Sequence, residues 1–274
     1  MNHSTILKIS NPRSQLHALH PLGQGGDQAE SLLSYFCRLA MSHSTSTLEL
    51  SRQLMMHFEG ESGIWSNLNN VWYERKISGV GDGAKTYVEA LAAATTVVGL
   101  ERHTFLPWQH VIANNGLAVH PLGQFCPQCL HEDMEQGATP YLRLCWEPLL
   151  VTVCHRHQTR LIQHCPHCGD SRVRHTSAFT VVGWCGKCGM FMGQKADGDS
   201  AVADIDEAKL WQAQQIAKLI CTQQSAAPAM PQRAAVMSAI EHIIEKACDG
   251  KYAKLAEQLR LCLLYTSPSP RDKF

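Results

Sequence analysis

Four cysteine-bearing pairs, each with two residues between its members, fall between positions 126 and 188: Cys126–Cys129, Cys154–His157, Cys165–Cys168 and Cys185–Cys188. Two ligands at that spacing fit a tight turn whose donor atoms converge on one ion, and two such turns supply the tetrahedral set that structural zinc requires. The last two pairs are separated by residues 169–184, inside the spacing of zinc ribbons, and each is followed by a glycine, Gly169 or Gly189, suited to a sharp turn. His157 is preferred to His155 because it repeats the two-residue spacing, and a directly adjacent Cys–His pair fits one ion poorly. The expected ligands are therefore Cys126, Cys129, Cys154 and His157 for one Zn2+ and Cys165, Cys168, Cys185 and Cys188 for a second. Interleaved pairing would use the same eight residues. The stretch YLRLCWEPLLVTV between the first two pairs suits a hairpin carrying both turns to one place.

The remaining cysteines, Cys37, Cys145, Cys221, Cys248 and Cys262, lack partner spacing and sit in apolar patterns, as small buried hydrophobes do. A redox CxxC is usually single and opens a helix, whereas these pairs are flanked by proline and glycine. Both sites are filled by four protein ligands, so neither leaves a position for a catalytic water. No HExxH, P-loop, GxSxG or deaminase pattern occurs. The expectation is structural metal and no enzymatic activity.

The rest of the chain is mainly helical in pattern. Apolar residues Leu32, Leu33, Phe36, Leu39 and Ala40 recur at helical spacing over 30–41. A polar stretch at 42–47 follows, where Ser46 and Glu49 have the spacing of a capping box, and Leu50, Leu54 and Phe58 continue a second helix. Helix, short turn, helix is the outline of a helix-turn-helix unit, and equally of a plain helical hairpin; Arg38, Arg52, Arg75 and Lys76 are few cations for a DNA-reading one. Lys85–Leu100 reads as a further buried helix, and 205–221, 233–248 and 251–264 as C-terminal helices. The expected divisions are an extended arm at 1–29, a helical helix-turn-helix-like domain at 30–118, a tandem zinc-finger module at 119–195 and a helical region at 196–264. Residues 265–274, YTSPSPRDKF, read as a disordered tail resembling translated adapter sequence. The fold class is mainly α with small zinc-stabilised β/turn modules.

Charge points away from autonomous DNA binding. Lys plus Arg equals Asp plus Glu at 24 each, so the formal charge is zero. Seven thiolates and two Zn2+ change this by −7 + 4, to −3. A zinc module that grips DNA by itself shows a basic face. No signal peptide or apolar run long enough to span a bilayer is visible, so the chain reads as a soluble cytoplasmic protein in which clustered thiols stay reduced and hold metal.

The run from Phe125 to Gly169 resembles the signature of the TniQ family, through Cys126, Pro127, Cys129, Leu130, Tyr141, Arg143, Trp146, Val153, Cys154, His157, Leu161, Cys165, Pro166, Cys168 and Gly169. Upstream, Glu30, Ser31, Leu32, Ser34, Arg38, Leu39 and Ala40 resemble the family's N-terminal helix. The resemblance covers about residues 20–190. It implies a non-catalytic target-site selection adaptor for DNA transposition, linking a target-bound complex to the transposon's AAA+ ATPase regulator. In RNA-guided members the target-bound complex is a CRISPR effector with its guide RNA, and the adaptor is a homodimer contacting target DNA weakly or indirectly. Relatives with long C-terminal extensions read DNA directly, so a zinc-dependent sequence-specific DNA binder, as attachment-site selector or transcription regulator, is the alternative. Tyr141, Arg143 and Trp146 match the pattern, and their simplest role is packing around the turn between the ligand pairs.

Overall fold

The computed structural model describes residues 14–59, 76–112, 123–170, 181–195, 206–225, 230–247 and 254. The arm up to residue 13, the loop at 114–116, Arg75, Arg172, Arg174, Cys248, Cys262 and the tail at 265–274 lie outside them. Of the expected helix over 251–264 only Lys254 is described, and it is helical.

The N-terminal half is a helical head. Helix α1 spans Leu32–Ser42, and the Ser31 hydroxyl caps it by accepting from the Ser34 N–H. It ends where Ser44 adopts a left-handed conformation. Helix α2, Thr47–Glu59, follows at once. Its start bears out half of the capping box: Ser46 Oγ accepts from the Glu49 N–H at 3.0 Å, while the Glu49 carboxylate turns to Arg52 and Gln53. Arg52, the basic residue best placed on α2 to face a partner, thereby has an intrahelical one.

Helix α3 runs Asp82–Thr95, shorter at its C-terminus than the periodicity up to Leu100 predicts. The β-branched run Thr95-Thr96-Val97-Val98 disfavours helix, and Thr96 turns left-handed to end it. The three helices pack together through Phe36, Leu54, Ile77 and Leu91, and the Phe36 and Tyr87 rings meet edge to face at 5.7 Å. Residues 14–30 run along this head: the N–H groups of Gln15 and Leu16 both reach the carbonyl of Ala94.

One carboxylate joins the arm, α1 and the metal-bearing half. Glu30, fully buried, accepts from Arg38 with both oxygens, from the Ser34 hydroxyl and from the Leu22 N–H. Its carbonyl accepts from the His103 ring at 2.7 Å. Burial without compensation would be costly for such a charge, and here every lone pair has a donor.

After residue 123 regular structure thins. Helix α4, Pro127–Glu135, opens at the first cysteine pair. The hairpin expected over 141–153 does not form: among the described residues there are only isolated antiparallel bridges, Glu30↔Arg143, Phe125↔Ile162, Val153↔Arg160 and Trp184↔Phe191. A 3₁₀ turn at Leu144–Trp146 coils the chain there, and Pro148 brings no N–H for a ladder. Helices α5, Glu207–Gln223, and α6, Arg233–Ala247, complete the mainly helical architecture. Helix α5 packs on the Leu144–Trp146 turn, and its buried Gln223 accepts from the Trp108 indole N–H at 2.8 Å and donates to the carbonyls of Arg102 and Thr104. The buried face of α5 is Ala213, Ile216, Ala217, Ile220 and Gln223. Cys221 is one position off that stripe and is exposed, contrary to its expected burial, whereas Cys37 and Cys145 are in the core.

Candidate metal centre

Three of the four ligand pairs sit on the same backbone device. At Cys154, Cys165 and Cys185 the cysteine carbonyl accepts from the N–H four residues on, of Gln158, Gly169 and Gly189 respectively. The cysteine N–H reaches the carbonyl five residues on, of Thr159, Asp170 and Met190. Closing so tight a loop needs a left-handed residue at the fifth position, and Gly169 (φ +69°) and Gly189 (φ +72°) supply it without steric cost. Gln158 does the same job at φ +50° despite its Cβ. The fourth pair differs. Cys126 is the N-cap of α4, Pro127 is preorganised for the first turn, and Cys129 lies one turn in. This pair opens a helix, where the sequence suggests only a turn.

The four pairs assemble sequentially, not interleaved. Cys126, Cys129, Cys154 and His157 form one group and Cys165, Cys168, Cys185 and Cys188 the other, with all ligand atoms of a group within 4.8 Å of one another. Four ligands at ordinary zinc distances, about 2.3 Å for sulfur and about 2.0–2.1 Å for nitrogen, stand about 3.6–3.8 Å apart on the edges of a tetrahedron. The observed edges match. Cys129 Sγ lies 3.7 Å from Cys154 Sγ, and His157 Nδ1 lies 3.4, 3.3 and 3.7 Å from the sulfurs of Cys126, Cys129 and Cys154. In the second group Cys165–Cys188 and Cys168–Cys185 are each 3.7 Å apart. Such separations exclude disulfides, whose sulfurs stand about 2.05 Å apart. Both donor sets are compatible with two zinc ions.

The donors also perturb one another as groups sharing a cation site do. Contact with Cys126 and Cys154 pushes the Cys129 thiol up, and contact with Cys126 and Cys129 pulls Cys154 down. His157 is pushed up to about 10 by the neighbouring sulfurs of Cys126 and Cys154. In the second group burial opposes ionisation, yet the N–H groups of Cys188 and Lys187 draw Cys185 down to about 7. The Lys187 and His167 N–H groups lie 3.4 Å from Cys185 Sγ and Cys165 Sγ, so each knuckle stabilises its own thiolate.

Around the first group every residue of the Cys154–His157 knuckle has a partner. His155, the histidine set aside on spacing, bonds Asp27 Oδ2 at 2.9 Å and so belongs to the arm. Arg156 pairs with Glu132 at 3.0 Å. His157 Nε2 meets Glu132 Oε1 at 2.7 Å. Against partial burial, that bond and the Arg156 charge hold Glu132 below the usual carboxylate range. Sequence reasoning missed Glu132. The signal was its place three residues after Cys129, hence on the same helix face.

Behind the group, Arg143 donates to both oxygens of Asp133 at 2.6 Å and stacks over the rings of Tyr141 at 4.1 Å and Trp146 at 5.0 Å. All three are buried, so the motif residues expected to pack the turn do so. Asp133, adjacent to Glu132 on α4, is the partner that the sequence pattern did not reveal. The second group joins the first through the Gln194 N–H, which donates to the Pro127 carbonyl at 3.1 Å. Gly193 permits that approach: a Cβ there would lie 2.4 Å from the Phe191 ring and 2.7 Å from the His131 nitrogen.

A helical head joined to two cysteine–histidine clusters of zinc-finger type is the class of protein this architecture defines. The TniQ family model matches residues 21–161, just over half the chain, and the chain belongs to the TniQ family, whose members are adaptors associated with transposition. The match takes in the head and the first cluster but ends at Leu161, short of the second cluster, which the sequence resemblance included. No curated protein matches the chain. Among the described residues no helix is long and apolar enough to cross a membrane.

Proposed function

We propose that the chain is a non-catalytic target-site selection adaptor of DNA transposition, built on two structural Zn2+ ions. Cys126, Cys129, Cys154 and His157 hold one ion and Cys165, Cys168, Cys185 and Cys188 the other. The adaptor links a target-bound CRISPR effector complex and its guide RNA to the AAA+ regulator ATPase, acts as a homodimer, and touches target DNA weakly or through its partners. The observation that carries the adaptor role is the family match over the head and first cluster. The zinc assignment is supported by donor atoms gathered within 4.8 Å in each group.

Chemically, the zinc ions act as cross-links. Each turns two short turns, unable to bury enough apolar surface alone, into a rigid surface, and the free energy of binding is free energy of folding. The charge of −3 with both ions and seven thiolates favours contacts with proteins over an unassisted grip on phosphates. The protein, purified with its zinc, should capture the ATPase and the guide complex of its own transposon in pull-downs. It should show only weak, salt-sensitive gel shifts with DNA at about 150 mM salt. Submicromolar, sequence-selective DNA binding without partners would overturn the adaptor reading and establish a zinc-dependent DNA-binding protein instead.

A further inference from the structure

We propose that Glu132 is the positioning residue of the first metal site. It locks the His157 imidazole with its proton on Nε2, so that Nδ1 faces the three sulfurs, and thereby raises the affinity of that site for zinc. The inference rests on the zinc reading above and deepens it.

The geometry is specific on both sides of the ring. A carboxylate in an ion pair only accepts, so the 2.7 Å contact from Nε2 to Glu132 Oε1 places the proton on Nε2. Nδ1 then carries the free lone pair, at 3.3–3.7 Å from the sulfurs of Cys126, Cys129 and Cys154. Free imidazole exchanges between two tautomers and rotates about χ2. The hydrogen bond selects one tautomer and one rotamer before the metal arrives.

Glu132 is itself held. Its second oxygen pairs with Arg156 at 3.0 Å, and the other arm of that guanidinium lies 4.0 Å from Cys129 Sγ. Three thiolates and one Zn2+ leave a net −1, which Arg156 offsets from the next layer out. Neighbouring histidines do not compete for the carboxylate, since His131 pairs with Glu135 at 3.1 Å and His155 with Asp27. Helix geometry explains why one segment supplies both layers: Cys129 and Glu132 stand three residues apart on α4 and share a face. Among the described residues, the second group has no histidine among its donors and hence no counterpart of this device.

The test uses the full zinc-loaded chain and its Glu132→Gln and Glu132→Ala variants, titrated with a chromophoric chelator that competes for zinc. In Glu132→Ala one of the two zinc ions should bind about 10–100-fold more weakly, with the other unchanged. Glu132→Gln, which keeps an acceptor oxygen and the side-chain shape, should lose less. Two-dimensional 15N–1H spectra of the histidine rings give a readout that a merely structural role would not move: one ring fixed as metal-bound Nδ1 with Nε2–H in the wild type, and a loss of that signature in Glu132→Ala. Unchanged affinity at both sites, or equal loosening of both, overturns the positioning role. A wild-type chain that binds no zinc overturns the metal reading itself, and this outcome is visible before any variant is made.

Discussion

The two cysteine groups share a spacing, a knuckle and a tetrahedral donor arrangement, yet they are embedded differently. In the first, Cys126, Cys129 and Cys154 are at most 1% exposed. The intervening knuckle residues bond to the arm through Asp27 and to α4 through Glu132, and the buried Arg143–Asp133 pair stands behind them. In the second, Cys168 and Cys188 lie at the surface, His167 and Lys187 point outward, and the sulfur charge is met by backbone N–H groups of the same knuckle. One set of ligand chemistry thus serves two purposes. The first group is a joint between segments distant in sequence, and the second is a self-contained fold docked on α4 through residues 193 and 194. The extent of the family match, which stops between them, follows the same division.

The sharpest way to break this comparison is to remove one ligand from each group. Structural zinc contributes about 10–16 kcal/mol in small finger peptides, comparable with or above the roughly 5–15 kcal/mol that holds a whole domain together. Cys129→Ser should therefore unfold the chain broadly, abolishing the cooperative thermal transition of the helical head in circular dichroism. Cys188→Ser should release one zinc ion while the helical signal and its melting transition persist. Equal collapse in both variants would show that the second group is as much a joint as the first.

The next effect tests the backing of the first group. The Arg143 side chain is 2% exposed and its bidentate partner Asp133 is 10% exposed. Asp133→Ala leaves a guanidinium buried without its counter-ion, and the expected loss is about 3–5 kcal/mol in urea unfolding. Replacing the pair together, Arg143→Met with Asp133→Leu, should recover most of it. A double variant as unstable as the single one would mean that the ion pair, rather than the filling of its space, holds the turn at 144–146.

Most of the site was legible because metal ligation is local in sequence: two residues between donors and a following glycine encode a knuckle almost by themselves. The choice of His157 over His155 came from spacing alone, and the Asp27 contact gives its physical reason. What spacing does not encode is the outer layer. Glu132, Asp133 and Asp27 act through hydrogen bonds whose partners are 10 to 128 residues away. The helices α1 and α2 were readable from apolar period and caps. The failed hairpin was not: alternating Val, Leu and Tyr favour strands, but Glu30 and Ala29 pair with Arg143 and Leu144 once only, and the chain then coils to place Trp146 in the core. Tertiary packing overrode local preference there. Cys221 shows the same limit on a helix, where a shift of one residue decides burial.

The smallest test asks whether the knuckles themselves are equivalent across the two groups. Gln158 in the first and Gly189 in the second occupy the same left-handed position, at φ +50° and φ +72°. Left-handed backbone costs a residue with a Cβ about 1–2 kcal/mol, while glycine gives the unfolded chain about 0.4–1 kcal/mol of extra freedom. The difference, about 0.5–1 kcal/mol, should appear with opposite signs: Gln158→Gly raises the melting temperature of the zinc-loaded protein, and Gly189→Ala lowers the stability of the second module. A Cβ at Gly189 meets no atom within 4 Å, so its cost is conformational and not a clash. Differential scanning calorimetry read against zinc release resolves which module each change affects. If Gln158→Gly instead destabilises, its side chain holds the first knuckle in a way that backbone geometry does not account for, and the two knuckles are equivalent only in outline.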